Sequence, residues 1–217
     1  MSRRQIFIGY TTEGTTDNRF LASIIQRTFE EIGFECQGEI DVLPVQYISM
    51  PKSNFVDEVI TAAQRAEEMG LMVLCVHTDA DHKSDKKAFK NKIEPAFIKA
   101  KPYLKILVAI VPVQMTEAWL LADTELLKNE IGTLKSDEEL GFNRLPESFA
   151  DPKRIIKRAI SKAFESLARR RIPPVTLSEL YSPIGQKVSL QKLAQLPSYL
   201  KFKDAVRGAY RELNYLA

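Results

Sequence analysis

Cysteine and histidine are scarce: the 217 residues hold two of each. Cys36 and Cys75 form no C-x-x-C pair, so neither a disulfide framework nor a zinc module is indicated. Cys75 sits inside an apolar run and reads as a small core residue. Long hydrophobic runs are also missing. Nothing approaches the ~20 apolar residues that cross a bilayer, which argues against a membrane partner. Ile6-Phe7-Ile8-Gly9-Tyr10 is too short an apolar stretch for a signal peptide, so a cytoplasmic protein is expected. There is no G-x-x-x-x-G-K-[ST], which excludes a phosphate-binding loop of that kind and a built-in ATP motor. G-x-S-x-G is absent too, and with it the nucleophile elbow of the α/β-hydrolases. Internal repeats and low-complexity linkers are not found.

What remains is an ordinary globular composition, 45% hydrophobic and 27% charged. The length fits one domain, or one domain with a helical extension. Net charge is only +3, but it is uneven. Between Lys153 and Arg171 stand eight bases and one acid, Glu165, a net +7 that leaves −4 for everything else. A basic arm beside an acid-bearing body suits a metal enzyme acting on a polyanion.

Hydrophobic periodicity predicts strands alternating with helices over the first half. Gln5 to Tyr10 reads as a first strand, followed by a turn at Gly14 and a helix capped by Thr15 or Thr16. The helix buries Phe20, Leu21, Ile24, Ile25, Phe29 and Ile32 and ends at Gly33. Val42 to Ile48 is a second strand, placed at an edge by Pro44. A helix from Phe55 to Met69 leads into a third strand, Leu71 to His77, and a polar helix over Lys86 to Lys101 is interrupted or closed around Pro95. A fourth strand covers Lys105 to Val111. This pattern means crossover connections and a mainly parallel four-stranded sheet flanked by helices.

From Thr116 onward everything periodic is helical. Thr116 reads as a cap for Glu117 to Ala122, Asp123 as the cap of the next short helix, and Asp151-Pro152 as the start of a basic helix reaching Arg171. Two more helices follow, Gln191 to Leu196 and Tyr199 to Leu213, separated by Pro197-Ser198, with Pro173-Pro174 as a hinge before them. The division this suggests is an α/β core over residues 1–115 and an all-helical C-terminal portion over 116–217.

Chemistry concentrates where the third strand ends. Leu71-Met-Val-Leu-Cys-Val-His77 is almost wholly apolar and reads as a central buried strand. Asp79 and Asp81 stand just past its carboxyl end, where open α/β sheets bind ligands. Residues two apart face the same way, and two neighbouring carboxylates repel unless a cation lies between them. Mg²⁺ or Mn²⁺ is the usual cation for an all-oxygen site. Solvated or capping aspartates are the plain alternative. Glu13 follows the first strand. Adjacency of the first and third strands would bring its carboxylate to the same place; otherwise it is a turn residue stabilised by the helix dipole.

Glu13-Gly14-Thr15-Thr16-Asp17, after a short strand and opening a helix, resembles the first motif of TOPRIM domains, and Thr78-Asp79-Ala80-Asp81 looks like their second. The resemblance covers about residues 5 to 112, half the chain. It implies a TOPRIM-like sheet and a Mg²⁺-dependent site for phosphodiester chemistry, with Glu13 as metal ligand or general acid/base and Asp79 and Asp81 as ligands. The loop after the second motif departs from the pattern: many members have a glycine there, and this chain has His82-Lys83-Ser84-Asp85-Lys86-Lys87. A second stretch, Ile110-Val-Pro112-Val-Gln-Met-Thr-Glu117-Ala-Trp-Leu-Leu-Ala-Asp123, with Leu180-Tyr181-Ser-Pro-Ile-Gly185-Gln-Lys187, is similar to stand-alone TOPRIM-like proteins of bacterial anti-phage defence loci, relatives of the overcoming-lysogenization-defect nucleases. That similarity makes Glu117 a further candidate metal ligand and implies an ATPase or other defence-system partner. At this length a topoisomerase with its strand gate is not expected, nor, without a zinc module, is a full primase.

The function expected on these grounds is a Mg²⁺-dependent nuclease acting on DNA or RNA in anti-phage defence. Lys83, Lys86, Lys87 and the Arg169, Arg170, Arg171 cluster are the candidates for holding nucleic-acid phosphates, the last because guanidiniums bind phosphate bidentately. His82 is a candidate for substrate contact or proton transfer, and His77 for a strand-end residue. Two rivals stay open: a metal-dependent phosphate- or nucleotidyl-transfer enzyme, and a non-catalytic TOPRIM-like binding or regulatory subunit. A phosphatase of the haloacid-dehalogenase type would carry its D-x-D on the first strand, not the third.

Overall fold

A computed structural model describes residues 4–49, 53–165 and 175–217. The first strand is broken into β1 (Arg4–Ile6) and β2 (Ile8–Thr11), and α1 (Thr15–Gly33) follows. The second strand is broken as well, into β3 (Ile40–Val42) and β4 (Gln46–Tyr47). Pro44 has no N–H to give to a ladder, so pairing lapses between Val42 and Gln46. Next come α2 (Phe55–Glu68), β5 (Val73–His77), α3 (Lys86–Ala88), a π-helical turn (Phe89–Ile93), α4 (Glu94–Ala100) and β6 (Ile106–Ile110). The rest is helical: α5 (Glu117–Leu120), α6 (Thr124–Ile131), α7 (Asp137–Leu140), a 3₁₀ turn (Pro146–Ser148), α8 (Pro152–Ala163), α9 (Leu177–Lys187), α10 (Leu190–Leu193) and α11 (Pro197–Glu212).

All described strand pairs are parallel. β4, β2, β5 and β6 lie side by side in that order, and β1 pairs β3 alongside. The first strand therefore neighbours the third, with Ile8 opposite Val73 and Thr11 opposite Val76. From β2 the chain passes outward through α1 to the edge, then returns across the sheet through α2 to β5. The connections leaving β2 and β5 diverge to opposite faces, which opens a crevice at the carboxyl ends of these two strands.

Side chains alternate between the faces. Val73 and Cys75 join α1, α9 and α11 in one core, while Leu74 and Val76 join α2 and α4 in the other. The C-terminal helices thus share the first core with the sheet. Trp119, fully buried, stacks edge-on with Tyr199 at 5.4 Å and donates its indole N–H to Ser198 Oγ at 2.7 Å. Where α9 crosses α1, a Cβ on Gly185 would lie 2.6 Å from the Phe20 carbonyl oxygen, so only glycine permits that approach.

Several expected elements differ in detail. The polar helix over Lys86 to Lys101 is one rod with a π turn inside it, in which Glu94 N–H reaches back to Phe89 O. Pro95 cannot donate, and the widened turn just before it accommodates the gap in the ladder. Pro197 does not separate helices but opens α11, as proline does at a first turn. Asp123 caps α6 as expected, accepting from Leu126 N–H at 3.1 Å. Asp151 likewise caps α8, but that helix ends at Ala163. Arg169, Arg170, Arg171 and the Pro173-Pro174 hinge lie outside the described residues. No helix among the described residues is long and apolar enough to cross a membrane.

Candidate functional site

The crevice between the β2 and β5 ends holds most of the sequence-predicted acids. Gly14 caps α1 with extended backbone, so Glu13 projects from the turn just after β2. Thr78, the first residue past β5, donates its hydroxyl to Glu13 Oε1 at 2.6 Å, and Asp79 N–H faces Glu13 Oε2 at 3.5 Å. The two motifs are thus joined directly across the neighbouring strands.

The loop after β5 is pinned against the loop after β6. Thr78 N–H donates to Ile110 O, Ala80 N–H to Pro112 O and Asp81 N–H to Gln114 O. To make this pairing Asp81 and Gln114 both take left-handed backbone, at φ 55° and 63°. Aspartate tolerates that region better than most residues, and strain of this kind persists only where surrounding bonds hold it. It leaves the Asp81 carboxylate 68% exposed at the rim of the crevice.

Asp79 lies deeper. Its Oδ1 accepts from Thr116 N–H at 2.9 Å and from the Thr116 hydroxyl at 3.2 Å, and lies 3.3 Å from His77 Nε2. Thr116 is therefore not the helix cap its sequence position suggests; it makes no capping bond, because its hydroxyl faces Asp79 and His77. A carboxylate only accepts, so the His77 proton sits on Nε2 when it bonds Asp79. Burial opposes charge on this imidazole, but the bond to Asp79 and the nearby charges of Asp79, Asp17 and Glu13 outweigh it and raise its pKa. The other ring nitrogen, Nδ1, is buried with no hydrogen-bond partner.

Asp17 was not singled out from sequence. It stands one helical turn after Glu13, and its Oδ2 lies where a Cβ on Gly14 would come within 2.7 Å. Burial raises its pKa and the charges of Asp79 and Glu117 add to this, while His77 and a bond from Thr116 pull the other way. The only sequence signal was its spacing, which puts it above Glu13 in the first turn of α1.

Glu117 is drawn elsewhere. It is 4% exposed, accepts from Tyr181 OH at 2.5 Å and pairs with Lys153 at 3.2 Å, tying α5 to α9 and α8. Burial and the bond to Glu117 push the Tyr181 phenol pKa up. The Glu117 charge is among those that raise the Asp17 pKa.

A second residue missed from sequence is Lys92, on the π turn. Its Nζ lies 2.9 Å from Thr78 Oγ1, 3.2 Å from Glu13 Oε1 and 3.6 Å from Asp81 Oδ2. It is an ammonium standing between the two carboxylates. In sequence it was one lysine among many on a polar helix; the signal available was Pro95 just downstream, a mark of irregular helix.

Of the expected phosphate contacts, Lys83, Lys86 and Lys87 are exposed and line a hollow of about 600 Å³ with His82 and Ser84. Asp85, buried at the start of α3, pairs with Lys201 of α11 at 2.5 Å and anchors this loop. On α8, Ile156, Ala159 and Ile160 are buried, while Lys153, Arg154, Lys157 and Arg158 are exposed.

The donor set of the crevice is all carboxylate oxygen, which suits a hard cation such as Mg²⁺ or Mn²⁺. Lys92 occupies the position a cation would take between Glu13 and Asp81. Among the described residues no three His, Cys, Asp or Glu side chains group tightly enough to hold an ion in this arrangement. Comparison with family models, curated proteins and solved structures returned no match.

Proposed function

We propose that the crevice is the active site of a Mg²⁺- or Mn²⁺-dependent nuclease of TOPRIM-like type, cutting phosphodiester bonds of DNA or RNA. One observation carries the reading: Glu13 and Asp79 leave adjacent parallel strands at the point where the connections diverge, and meet across Thr78. In this reading Glu13, Asp79 and Asp81 hold the cation, with Asp17 beside them; Glu117 supports the site through Asp17 without touching the ion. The bound cation would activate water and stabilise charge on the phosphate.

The protein's own groups divide the remaining tasks. Thr116 and His77 orient Asp79 through its Oδ1 and so would present its carboxylate to a cation. Thr78 orients Glu13, the candidate for moving a proton to or from the reacting oxygen. Lys83, Lys86 and Lys87, with the exposed bases of α8 and the arginines at 169–171, would hold the nucleic-acid backbone. Anti-phage defence, with an ATPase or other partner, is the setting suggested by the resemblance of residues 110–123.

A second reading, a TOPRIM-like binding or regulatory subunit that does not cut, is favoured by Lys92: an ammonium already neutralises part of the carboxylate charge. Incubation of the purified chain with plasmid, single-stranded DNA and RNA in Mg²⁺, Mn²⁺ or EDTA separates the two. Cleavage that requires metal and is lost in both Glu13→Ala and Asp79→Ala supports the nuclease. Cleavage that survives both substitutions contradicts the site, and its absence on all three substrates favours the subunit.

A further inference from the structure

The inference concerns how the proposed metal site is filled, and it rests on the metal-dependent reading above. The carboxylates converging at the β2 and β5 ends repel one another unless a cation lies among them. In this structure that role falls to Lys92, whose Nζ touches Glu13, Thr78 and Asp81 at once. The residue is delivered by a π turn, whose extra residue changes the phase of the rod joining α3 to α4. Turns of this kind inside α-helices are uncommon and often mark functional sites.

Three features make the ammonium exchangeable rather than structural. The Lys92 side chain is 34% exposed, and its partners Glu13 and Asp81 are more exposed still. A lysine stem has four rotatable bonds and a strongly hydrated head, so leaving for solvent costs it little. Its other neighbour is the Phe55 ring, 6.0 Å from Nζ, which offers the cation a second resting place over an aromatic face. At Glu117, by contrast, the acid itself is buried and held by Tyr181, although its partner Lys153 reaches solvent.

We propose that the Lys92 ammonium and a divalent cation are alternative occupants of the gap between Glu13 and Asp81, so that Lys92 is a positioning residue that sets the metal affinity of the site. Without metal it holds the carboxylates in place. A divalent ion enters by displacing it, and the freed ammonium stays at the rim of the crevice. Lys92 thereby keeps the site from collapsing or binding cations indiscriminately, at the cost of a weaker metal affinity.

The test is titration calorimetry of Mn²⁺ into the full chain without nucleic acid, paired with thermal unfolding in EDTA and in saturating Mn²⁺. Two surface-level ion pairs must be given up for the metal to enter, so Lys92→Met is expected to bind Mn²⁺ about tenfold more tightly than wild type. Lys92→Arg, which keeps the charge, is expected to bind within about threefold of wild type. Lys90→Met, which removes an exposed charge from the same turn without bridging the acids, is expected to change affinity by less than about twofold. In EDTA, Lys92→Met should melt below wild type, and saturating Mn²⁺ should close the difference. Unchanged or weaker binding by Lys92→Met, or an equal gain in Lys90→Met, would overturn the exchange while leaving the metal site standing. Absence of Mn²⁺ binding in wild type and in every variant would overturn the metal reading itself, and the exchange with it.

Discussion

Two carboxylate clusters lie on the carboxyl side of the sheet, and they are built oppositely. Glu117 is buried among α5, α8 and α9, where Tyr181 donates to it and Lys153 pairs with it. Glu13 and Asp81 stand at the rim, partly or largely in solvent, bridged by Lys92. A buried acid must have its partners fixed by the fold, because losing one leaves an uncompensated charge in low dielectric. A rim acid can exchange partners, since water takes over when one leaves. The difference suits Glu117 to holding helices together and leaves the rim acids free for the proposed binding.

The sharpest way to break this comparison is to remove one acid from each cluster. Glu117→Ala strands the buried Tyr181 hydroxyl and frees Lys153 to solvent, and should cost about 2 kcal/mol in urea unfolding. Glu13→Ala removes an exposed side chain and should change stability by no more than about 0.5 kcal/mol, while abolishing the proposed cleavage. Similar stability losses in the two variants would erase the distinction.

Next in size is the support of Asp79. Thr116→Val keeps the shape but removes the hydroxyl that faces both Asp79 and His77, and should cost about 1–2 kcal/mol by the same unfolding measurement. It should also weaken Mn²⁺ binding by a few-fold, whereas Thr61→Val, whose hydroxyl bonds only its own helix carbonyl, should leave Mn²⁺ binding unchanged. Gly14→Ala comes third. Its Cβ would press on Asp17 Oδ2, and the flexible carboxylate moves aside at a stability cost of about 0.5 kcal/mol. Any fall in metal affinity then reports how far Asp17 belongs to the rim cluster.

The smallest effect lies far from both clusters. Arg207 grips Glu35 through two nitrogens, each at 2.8 Å, and holds its carboxyl below the ordinary glutamate pKa. A depressed acid stabilises the fold above its unfolded pKa of about 4.3, and that contribution fades as pH falls through the lower folded value. Because the pair is partly exposed and screened by solvent, Glu35→Gln should reduce the acid-side pH dependence of unfolding by only a few tenths of a kcal/mol, roughly.

Much of this arrangement was legible in the sequence. Within the run expected from Leu71, β5 (Val73–His77) is buried from end to end, Pro44 does mark an edge strand, and the first and third strands are neighbours as Glu13 and Asp79 required. Those features depend on local composition and on the handedness of crossovers, which sequence carries. What was not legible depends on phase and on long-range partners. Lys92 reaches Glu13 only because the helix loosens before Pro95, a change of helical phase that hydrophobic periodicity cannot register. Thr116 looked like a cap because threonine before a helix usually is one; its engagement by Asp79 arises from pairing between the loops after β5 and β6. For Glu117 the place near the sheet edge is visible in the sequence, while its bond from Tyr181, 64 residues away, is not.

The central claim is that the acids of the crevice, Glu13, Asp79 and Asp81, bind a divalent cation, and Mn²⁺ paramagnetic resonance on the full chain tests it most directly. Bound Mn²⁺ should appear with wild-type protein, disappear with Asp79→Asn, and persist with Glu117→Gln, which keeps a Tyr181 partner. Equal binding by wild type and Asp79→Asn, or loss confined to Glu117→Gln, would contradict it.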